Sequence, residues 1–300
     1  MKILVIFNPH AANKRAKKML PLIKDTFRTL RISTEILLTK NQGHGLELAA
    51  QADFSAYDGI IAAGGDGTLY EVINGYYKNR SVQRIPVGVL PTGTGNAFAK
   101  ELDLLKNDWE KAIRIIAAGK TKKVDVGQFT SNGEKHYFVN ILGFGFVGDV
   151  NKTAQRFKWL GDFAYTIGVL YQILFLKTFK LSIKMDDISI ERENIFVEIS
   201  NTRYTGTTFL MAPEADVADG LLNITLLNKI NRREILKIFP TIFDGSHINQ
   251  KQVETFTAKQ IRVEAQPVKV LTPDGELFGS TPIEVSCLKQ DMEFFWPSAP

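Results

Sequence analysis

The sequence predicts two domains, an α/β domain over residues 1–123 and an antiparallel β-sandwich over residues 124–300. In the first part, short apolar runs alternate with helix-compatible segments, which is typical of a sheet covered by helices. In the second part, many short strands are separated by turn signals, which is typical of a sandwich or barrel. The 300 residues are 44% hydrophobic, and this is enough to bury a substantial core in each domain.

The first domain is predicted from its apolar runs. Four of them predict strands, at residues 3–7, 35–39, 60–63 and 85–90, and the first and third have the pattern of buried strands. Helices are expected to follow them, including residues 97–101 and 108–118. Pro21 lies in a basic helical stretch after the first strand, and it predicts a helix that begins late, with the proline in its first turn.

Two turns rich in small residues follow strands of this domain. The first is Gly64-Gly65-Asp66-Gly67-Thr68, and the second is Pro91-Thr92-Gly93-Thr94-Gly95-Asn96. A glycine turn that opens a helix presents bare amides and the positive end of the helix dipole, which suits phosphate. Because parallel sheets bind ligands beyond the carboxyl ends of their strands, the two turns together predict a nucleotide cleft.

The second domain follows a polar linker at residues 119–123. The prediction leaves open whether the extreme C-terminus packs with the first domain. Turn signals at residues 131–133 and 186–187 each lie between two predicted strands. Further strands are predicted at residues 196–199, 221–227, 256–263, 268–271 and 283–286. Two helices interrupt them, at residues 158–177 and 232–239.

Two stretches of the second domain have more than one interpretation. Residues 143–148 satisfy the pattern GxGxxG but lack the surrounding βαβ unit, so glycines at a bend are favoured over dinucleotide binding. The helix at 158–177 carries an aromatic stripe that is typical of a helix packed on a core. Basic residues border that stripe, so contact of one end of this helix with a membrane surface is the alternative interpretation.

Bulk properties restrict the class of protein. The formal net charge of +5 favours acidic partners, either nucleotide phosphates or anionic lipid headgroups, and no nucleic-acid module is present. The single cysteine, Cys287, fits a reducing cytosol. The first residues form a strand pattern without signal-peptide features, so the chain is expected to be cytoplasmic, with peripheral contact at the inner membrane face left open.

Three motifs resemble the diacylglycerol kinase catalytic-domain superfamily, which includes bacterial lipid kinases and the sphingosine and ceramide kinases. They are the first glycine turn, the second glycine turn and Asp274-Gly275-Glu276, in this order. The resemblance covers nearly the whole chain, although NAD kinases and phosphofructokinases share the first motif. It implies a Rossmann-like N-terminal domain that binds ATP and a sandwich domain, with a lipid phosphorylated between them and Mg²⁺ as the cofactor.

The resemblance also implies roles for individual residues. Asp66, Asp274 and Glu276 are the catalytic candidates, with Glu276 as general base and Asp66 near the Mg²⁺ that bridges the triphosphate. A carboxylate that accepts the proton of a lipid hydroxyl assists its attack on the γ-phosphoryl group. The residues expected to contact ATP are Asn8, Thr39, Gly64, Gly65, Asp66, Gly67, Thr68, Leu69, Tyr70, Glu71, Thr94, Gly95 and Asn96.

A second Mg²⁺ is implied at an acidic loop in the sandwich domain. Asp216 and Asp219 lie three residues apart, and the backbone carbonyl of Leu221 follows Gly220. These oxygens form half of a coordination shell that fits a hard cation, and water molecules would complete the shell. Without the resemblance, the same residues are typical of an exposed acidic loop.

The acceptor and the partners are less restricted. Residues after Asn96 run Ala97-Phe98, closer to sphingoid and ceramide kinases than to many diacylglycerol kinases, so diacylglycerol is one of several candidate lipids. A kinase for a soluble acceptor such as NAD, a non-catalytic nucleotide sensor and a scaffolding protein are the alternatives. A lipid substrate is the expected partner, a homodimer is left open, and no nucleic-acid partner is expected.

Overall fold

The computed structural model describes residues 1–145, 177–206 and 208–298. The chain forms two compact units, one made of Met1–Val126 with the residues from Gln290 onward, and one made of Gly127–Lys289. The C-terminal residues therefore belong to the first unit. The predicted polar linker is partly regular structure, because a strand begins at Thr121.

The first unit contains a parallel sheet. Its strands are β1 (Lys2–Phe7), β2 (Ser33–Leu38), β3 (Gly59–Gly64) and β4 (Val87–Pro91). They pair in the order β2-β1-β3-β4, and the end of the last strand of the chain continues the sheet beside β4. Strands β3 and β4 are buried along their whole length, as their unbroken apolar runs predict. All carboxyl ends therefore lie at one edge.

Five helices accompany this sheet in the first unit. They are α1 (Arg15–Thr29), α2 (His44–Gln51), α3 (Asp66–Lys78), α4 (Ala97–Glu101) and α5 (Trp109–Ala118). The predicted late start of the first helix is wrong, because α1 begins at Arg15 and Pro21 lies inside it. Ala16, Ile23 and Phe27 are fully buried along one face of α1. Packing of that face compensates for the hydrogen bond that the proline cannot donate.

The second unit is an antiparallel β-sandwich, as predicted. Its strands are β5 (Thr121–Ser131), β6 (Glu134–Phe138), β7 (Ile141–Gly145), β8 (Phe179–Met185), β9 (Ile188–Ser200), β10 (Tyr204–Thr205), β11 (Phe209–Leu210), β12 (Leu222–Asn228), β13 (Val253–Ala258), β14 (Gln260–Gln266), β15 (Leu271–Pro273) and β16 (Ile283–Phe295). The first residues of β5 and the last residues of β16 belong to the first unit. The main sheet has the order β13-β12-β9-β8-β14-β16. One helix, α6 (Arg232–Ile238), follows β12.

Two strand predictions in this unit are wrong. The run at 256–263 is divided between β13 and β14, because the amides of Lys259 and Gln260 bond to the carboxylate of Asp186, at 3.1 and 2.9 Å, where the chain changes partner. The run at 268–271 begins to pair as a strand only at Leu271. Pro267 has no N–H for a sheet ladder, and Val268 is 63% exposed.

Strand β9 has two buried faces. Val197 and Ile199 point into the main sandwich core, whereas Phe196 belongs to a second apolar cluster that includes Ile235 and Ile238 of α6. The second cluster gives the unit a separate apolar region outside the sandwich core.

Two predicted features fall on residues that the structure does not describe. Most of the predicted helix at 158–177 and the second half of the GxGxxG pattern lie there. Within residues 1–145, 177–206 and 208–298, no helix combines the length and the apolar character that a membrane span requires.

Candidate functional site

The carboxyl ends of β1, β2 and β3 lie side by side. The amide of Thr39 donates to the carbonyl oxygen of Phe7 at 2.9 Å, and the amide of Asn8 donates to that of Ala63 at 2.8 Å. Thr39 is buried and Asn8 is half-buried. The structure therefore brings these two predicted contacts to the edge at which the first glycine turn begins.

The two glycine turns touch each other through their backbones. The amides of Thr92 and Gly93 donate to the carbonyl oxygen of Gly64 at 3.1 and 2.9 Å, and the amide of Asp66 donates to that of Gly95 at 3.1 Å. A Cβ added to Gly93 would lie 2.3 Å from the Cα of Gly65. Only glycine permits this approach, so the turns form one joined backbone surface.

Side chains hold this surface together. The Nδ2 of Asn8 donates to the hydroxyl of Thr68 at 3.2 Å, and the Nδ2 of Asn96 donates to the carbonyl oxygen of Gly93 at 3.0 Å. Thr94 is exposed at the tip of the second turn. The amide side chains of Asn8 and Asn96 thus orient the turns, while Thr94 faces solvent.

Helix α3 begins within the first turn. Asp66 is its first residue, so Gly67 and Thr68 lie in its first turn, and the amide of Thr68 donates to the carbonyl oxygen of the N-cap residue Gly65 at 3.0 Å. Leu69 and Tyr70 follow with buried side chains. The positive end of the helix dipole therefore lies at the same edge as the two glycine turns.

Two acids of α3 bond to backbone amides. The Oδ1 of Asp66 accepts the amide of Ala97 at 2.7 Å, which ties the start of α3 to the start of α4. The carboxylate of Glu71 accepts the amides of Gly43 and Gly45 at 2.7 and 2.9 Å, which holds the turn before α2. A direct contact of Glu71 with ATP stays a prediction, and the structure gives its carboxylate an anchoring role.

The third motif begins with a buried acid. Asp274 is 4% exposed, and its carboxylate accepts the amides of Val139, Asn140 and Ile141 at 3.1, 2.9 and 3.0 Å. Burial raises the pKa of Asp274 to about 6, more than these hydrogen bonds lower it. Asp274 thereby positions the turn from which the half-buried Glu276 projects. An approach of Glu276 to ATP stays a prediction.

We expect Asp274→Ala to lower the melting temperature by roughly 6 °C or more, because it leaves three buried amides without an acceptor. Differential scanning fluorimetry of the full chain measures this change. Asp244→Ala is the matched control, because Asp244 also accepts a backbone amide, that of Ser246, but is exposed. Equal effects of the two variants would contradict the positioning role of Asp274.

The predicted metal loop is formed by two exposed acids. The Oδ1 of Asp216 accepts the amide of Ala218 at 3.0 Å, and that of Asp219 accepts the amide of Leu221 at 2.8 Å. Among the described residues, no three His, Cys, Asp or Glu side chains form a metal-binding group. A cation at this loop would depend on two carboxylates, the Leu221 carbonyl and water, and it stays a prediction.

An apolar pocket lies in the second unit and was not predicted from the sequence. Its empty space, counted with the solvent at its open side, is about 690 Å³. Strands β9 and β12, the β10–β11 hairpin, α6 and the segment after α6 supply its walls. The lining residues are Phe196, Glu198, Thr205, Phe209, Met211, Thr225, Leu227, Ile235, Ile238, Phe239, Ile242, His247 and Val253.

A buried acid, Glu198, lines this pocket. Its Oε1 accepts the hydroxyl groups of Thr205 and Ser200. Burial raises the pKa of Glu198 to about 7, more than these hydrogen bonds lower it. A single acid within the apolar run of β9 is the sequence signal that could have indicated this site.

Comparisons with known proteins cover both units. Residues 2–129 match the family described as the diacylglycerol kinase catalytic domain, and residues 140–295 match a YegS C-terminal NAD kinase beta sandwich-like domain. A diacylglycerol kinase of Mycobacterium tuberculosis (strain H37Rv) is 31% identical over 83% of this chain and 80% of its own length. One of Bacillus subtilis (strain 168) is 29% identical over 98% and 95%.

Solved structures agree with these matches. A crystal structure from Bacillus anthracis str. Sterne, described as a candidate diacylglycerol kinase, has a TM-score of 0.79 and 27% identity. It covers 99% of this chain, and the alignment spans 97% of that protein. The similarity therefore extends over both units.

Proposed function

The chain belongs to the diacylglycerol kinase catalytic-domain family and is a kinase with an alcohol acceptor, and we propose that it transfers the γ-phosphoryl group of ATP to the hydroxyl of a lipid. The observation that carries the lipid acceptor is the apolar pocket in the second unit. Diacylglycerol, a sphingoid base or a related lipid is the acceptor in this proposal.

ATP binding is supported by the joined glycine turns of the first unit. The turns and the N-terminus of α3 lie at one edge, and the positive end of the helix dipole there attracts phosphate. Asn8 and Thr39 end the neighbouring strands and would flank the nucleotide there. Glycine at positions 65 and 93 lets the two turns pack together, because a Cβ at either position would meet backbone atoms of the other turn.

Mg²⁺ fits the same edge by the chemistry of its donors. Asp66 places a carboxylate at the first residue of α3, and oxygen ligands of this kind suit a hard cation that also binds phosphate. When bound, Mg²⁺ neutralises charge on the triphosphate as the phosphoryl group is transferred. The hydrogen bond from Ala97 to Asp66 holds this carboxylate in place.

Glu276 is the proposed general base. A lipid hydroxyl ionises far above neutral pH, so a carboxylate that accepts its proton during attack assists the transfer. The buried carboxylate of Asp274 fixes the turn and thereby the direction in which Glu276 projects. Positioning and neutralisation of charge supply most of the remaining catalysis.

The lipid acceptor is supported by the chemistry of the pocket walls. Phe196, Leu227 and Ile235 are among the apolar side chains that surround a space open to solvent. An acyl or alkyl chain gains about 0.8 kcal/mol for each CH₂ that it buries there. A hydrocarbon chain is therefore the part of a substrate that this unit would hold.

Transfer of label from γ-³²P-ATP tests the proposal. The full chain is incubated with Mg²⁺ and either mixed lipid vesicles or a pool of soluble metabolites that includes NAD. We expect label in the organic phase with lipid, and its loss when EDTA removes Mg²⁺. Label that appears only with the soluble pool would contradict a lipid acceptor.

A soluble acceptor is the second candidate, because residues 140–295 match a domain described as NAD kinase beta sandwich-like. The labelled-ATP experiment separates the two acceptors directly. Peripheral membrane contact and a homodimer stay predictions.

A further inference from the structure

The pocket in the second unit combines apolar walls with one carboxyl group, which is unusual for a site that holds only a hydrocarbon chain. Glu198 lies directly opposite Thr225 in the antiparallel pairing of β9 with β12. Their neighbours on this face, Phe196 and Leu227, are paired in the same way and are apolar. Glu198 is thus an acid within an apolar surface, and it is only 1% exposed to solvent.

The other polar side chains that line the pocket each have at least one protein contact, although the Nδ1 of His247 is buried and has no hydrogen-bond partner among the described residues. Thr205 and Ser200 donate to its Oε1. The hydroxyl of Thr225 and the Nε2 of His247 lie 3.5 and 3.1 Å from the carbonyl oxygen of Met211. One oxygen of the Glu198 carboxyl group is therefore hydrogen bonded, and the side chains of Thr225 and His247 point to the backbone carbonyl of Met211.

The second oxygen of Glu198 has no such contact. Within residues 1–145, 177–206 and 208–298, no group hydrogen bonds to the buried Oε2. Buried polar atoms in native proteins nearly always have a partner, and a carboxyl oxygen in an apolar site is costly without one. A ligand that enters the pocket with a hydrogen-bond donor supplies the missing partner.

We propose that Glu198 makes this pocket selective for a single-chain amphiphile that carries a hydrogen-bond donor, either a hydroxyl or an ammonium group. Amphiphiles without such a donor should bind more weakly. The inference rests on the proposed function, because it names a feature of the lipid that the enzyme accepts. The apolar walls hold the hydrocarbon, and the Oε2 of Glu198 accepts the donor.

The raised pKa of Glu198 is consistent with either donor. With a pKa of about 7, both forms of the carboxyl group are populated near neutral pH. An ammonium group favours the charged form through a direct ion pair, whereas a hydroxyl can bond to either form.

Binding of three probes that share a decyl chain to the full chain of the protein, without nucleotide, tests the inference. The probes are 1-decanol, decylamine and decyl methyl ether, and the last has no donor. Affinities are measured by isothermal titration calorimetry. We expect wild-type protein to bind decanol, decylamine or both about tenfold more tightly than the ether, as a hydrogen bond to a buried acceptor predicts.

Two variants of Glu198 and one control complete the test. Glu198→Leu should bind all three probes with the same affinity, and Glu198→Gln should keep a preference for decanol but not for decylamine. Glu191→Leu is the matched control, since Glu191 is an exposed acid on the same strand, β9, and does not line the pocket. It should keep the wild-type preference.

Three results would overturn the inference. They are equal binding of the ether and the donor probes by wild-type protein, a preference that persists in Glu198→Leu, and no binding of any probe. The experiment involves no phosphoryl transfer, so its outcome is independent of the kinase assay. A chain that shows the predicted preference but phosphorylates no lipid would disprove only the proposed function.

Discussion

Glu276→Ala is expected to reduce the rate of phosphoryl transfer by roughly 100- to 10,000-fold, the usual contribution of a general base. Nucleotide affinity should change little, because the proposed ATP site is formed by the glycine turns and α3 of the first unit. Single-turnover transfer from γ-³²P-ATP to lipid vesicles measures the rate. A nucleotide-induced rise in melting temperature measures binding.

Two further variants show whether the carboxylate itself is responsible. Glu276→Gln keeps the size of the side chain and removes its basicity, so it should be as inactive as the alanine variant. Glu264→Ala is the control, since Glu264 is an exposed acid on β14 of the same unit. Normal turnover by Glu276→Gln would show that the assigned base is wrong.

Gly93→Ala is expected to abolish ATP binding, with an affinity loss of at least about 100-fold, equivalent to nearly 3 kcal/mol. The added methyl group would lie 2.3 Å from the Cα and 2.5 Å from the amide nitrogen of Gly65. Both of these are backbone atoms, so the two turns must separate and their amides lose the arrangement that binds phosphate. Isothermal titration calorimetry with ATP and Mg²⁺ measures the loss.

A control must separate lost binding from lost stability. Gly119→Ala places a methyl group in open space at a residue with a φ of +66°, so it strains the backbone without touching the turns. It should lower the melting temperature modestly and leave ATP affinity unchanged. If Gly93→Ala binds ATP as well as Gly119→Ala does, the joined turns are not the nucleotide site.

Features that depend on neighbours along the chain could be predicted from the sequence. Strands β1, β3 and β4 of the first sheet were found because a strand buried on both faces needs an unbroken apolar run. Helix α4 was predicted with its observed bounds, and both glycine turns were located because glycine density is a local property. The sandwich class followed in the same way from the spacing of turn signals.

The partners of the acids could not be predicted. Glu71 bonds to amides of the turn at Gly43 and Gly45, and Asp274 bonds to amides at 139–141, more than a hundred residues earlier. Nothing in the local sequence distinguishes an acid that anchors a backbone turn from one that faces a ligand. The start of α1 was predicted wrongly for a related reason. The packing of α1 outweighs the preference of proline for the first turn of a helix, so Pro21 lies inside the helix.

The sequence by itself determined the two-domain class, the strands that end at the two glycine turns and the motifs that place the chain in the diacylglycerol kinase catalytic-domain family. Only the tertiary structure decided that the glycine turns meet, that Asp274 is buried as an anchor and that Glu198 lies within an apolar pocket. Hydrophobic periodicity and turn chemistry act between residues close in the chain. Burial, hydrogen-bond partners and the resulting pKa values depend on residues that only folding brings together.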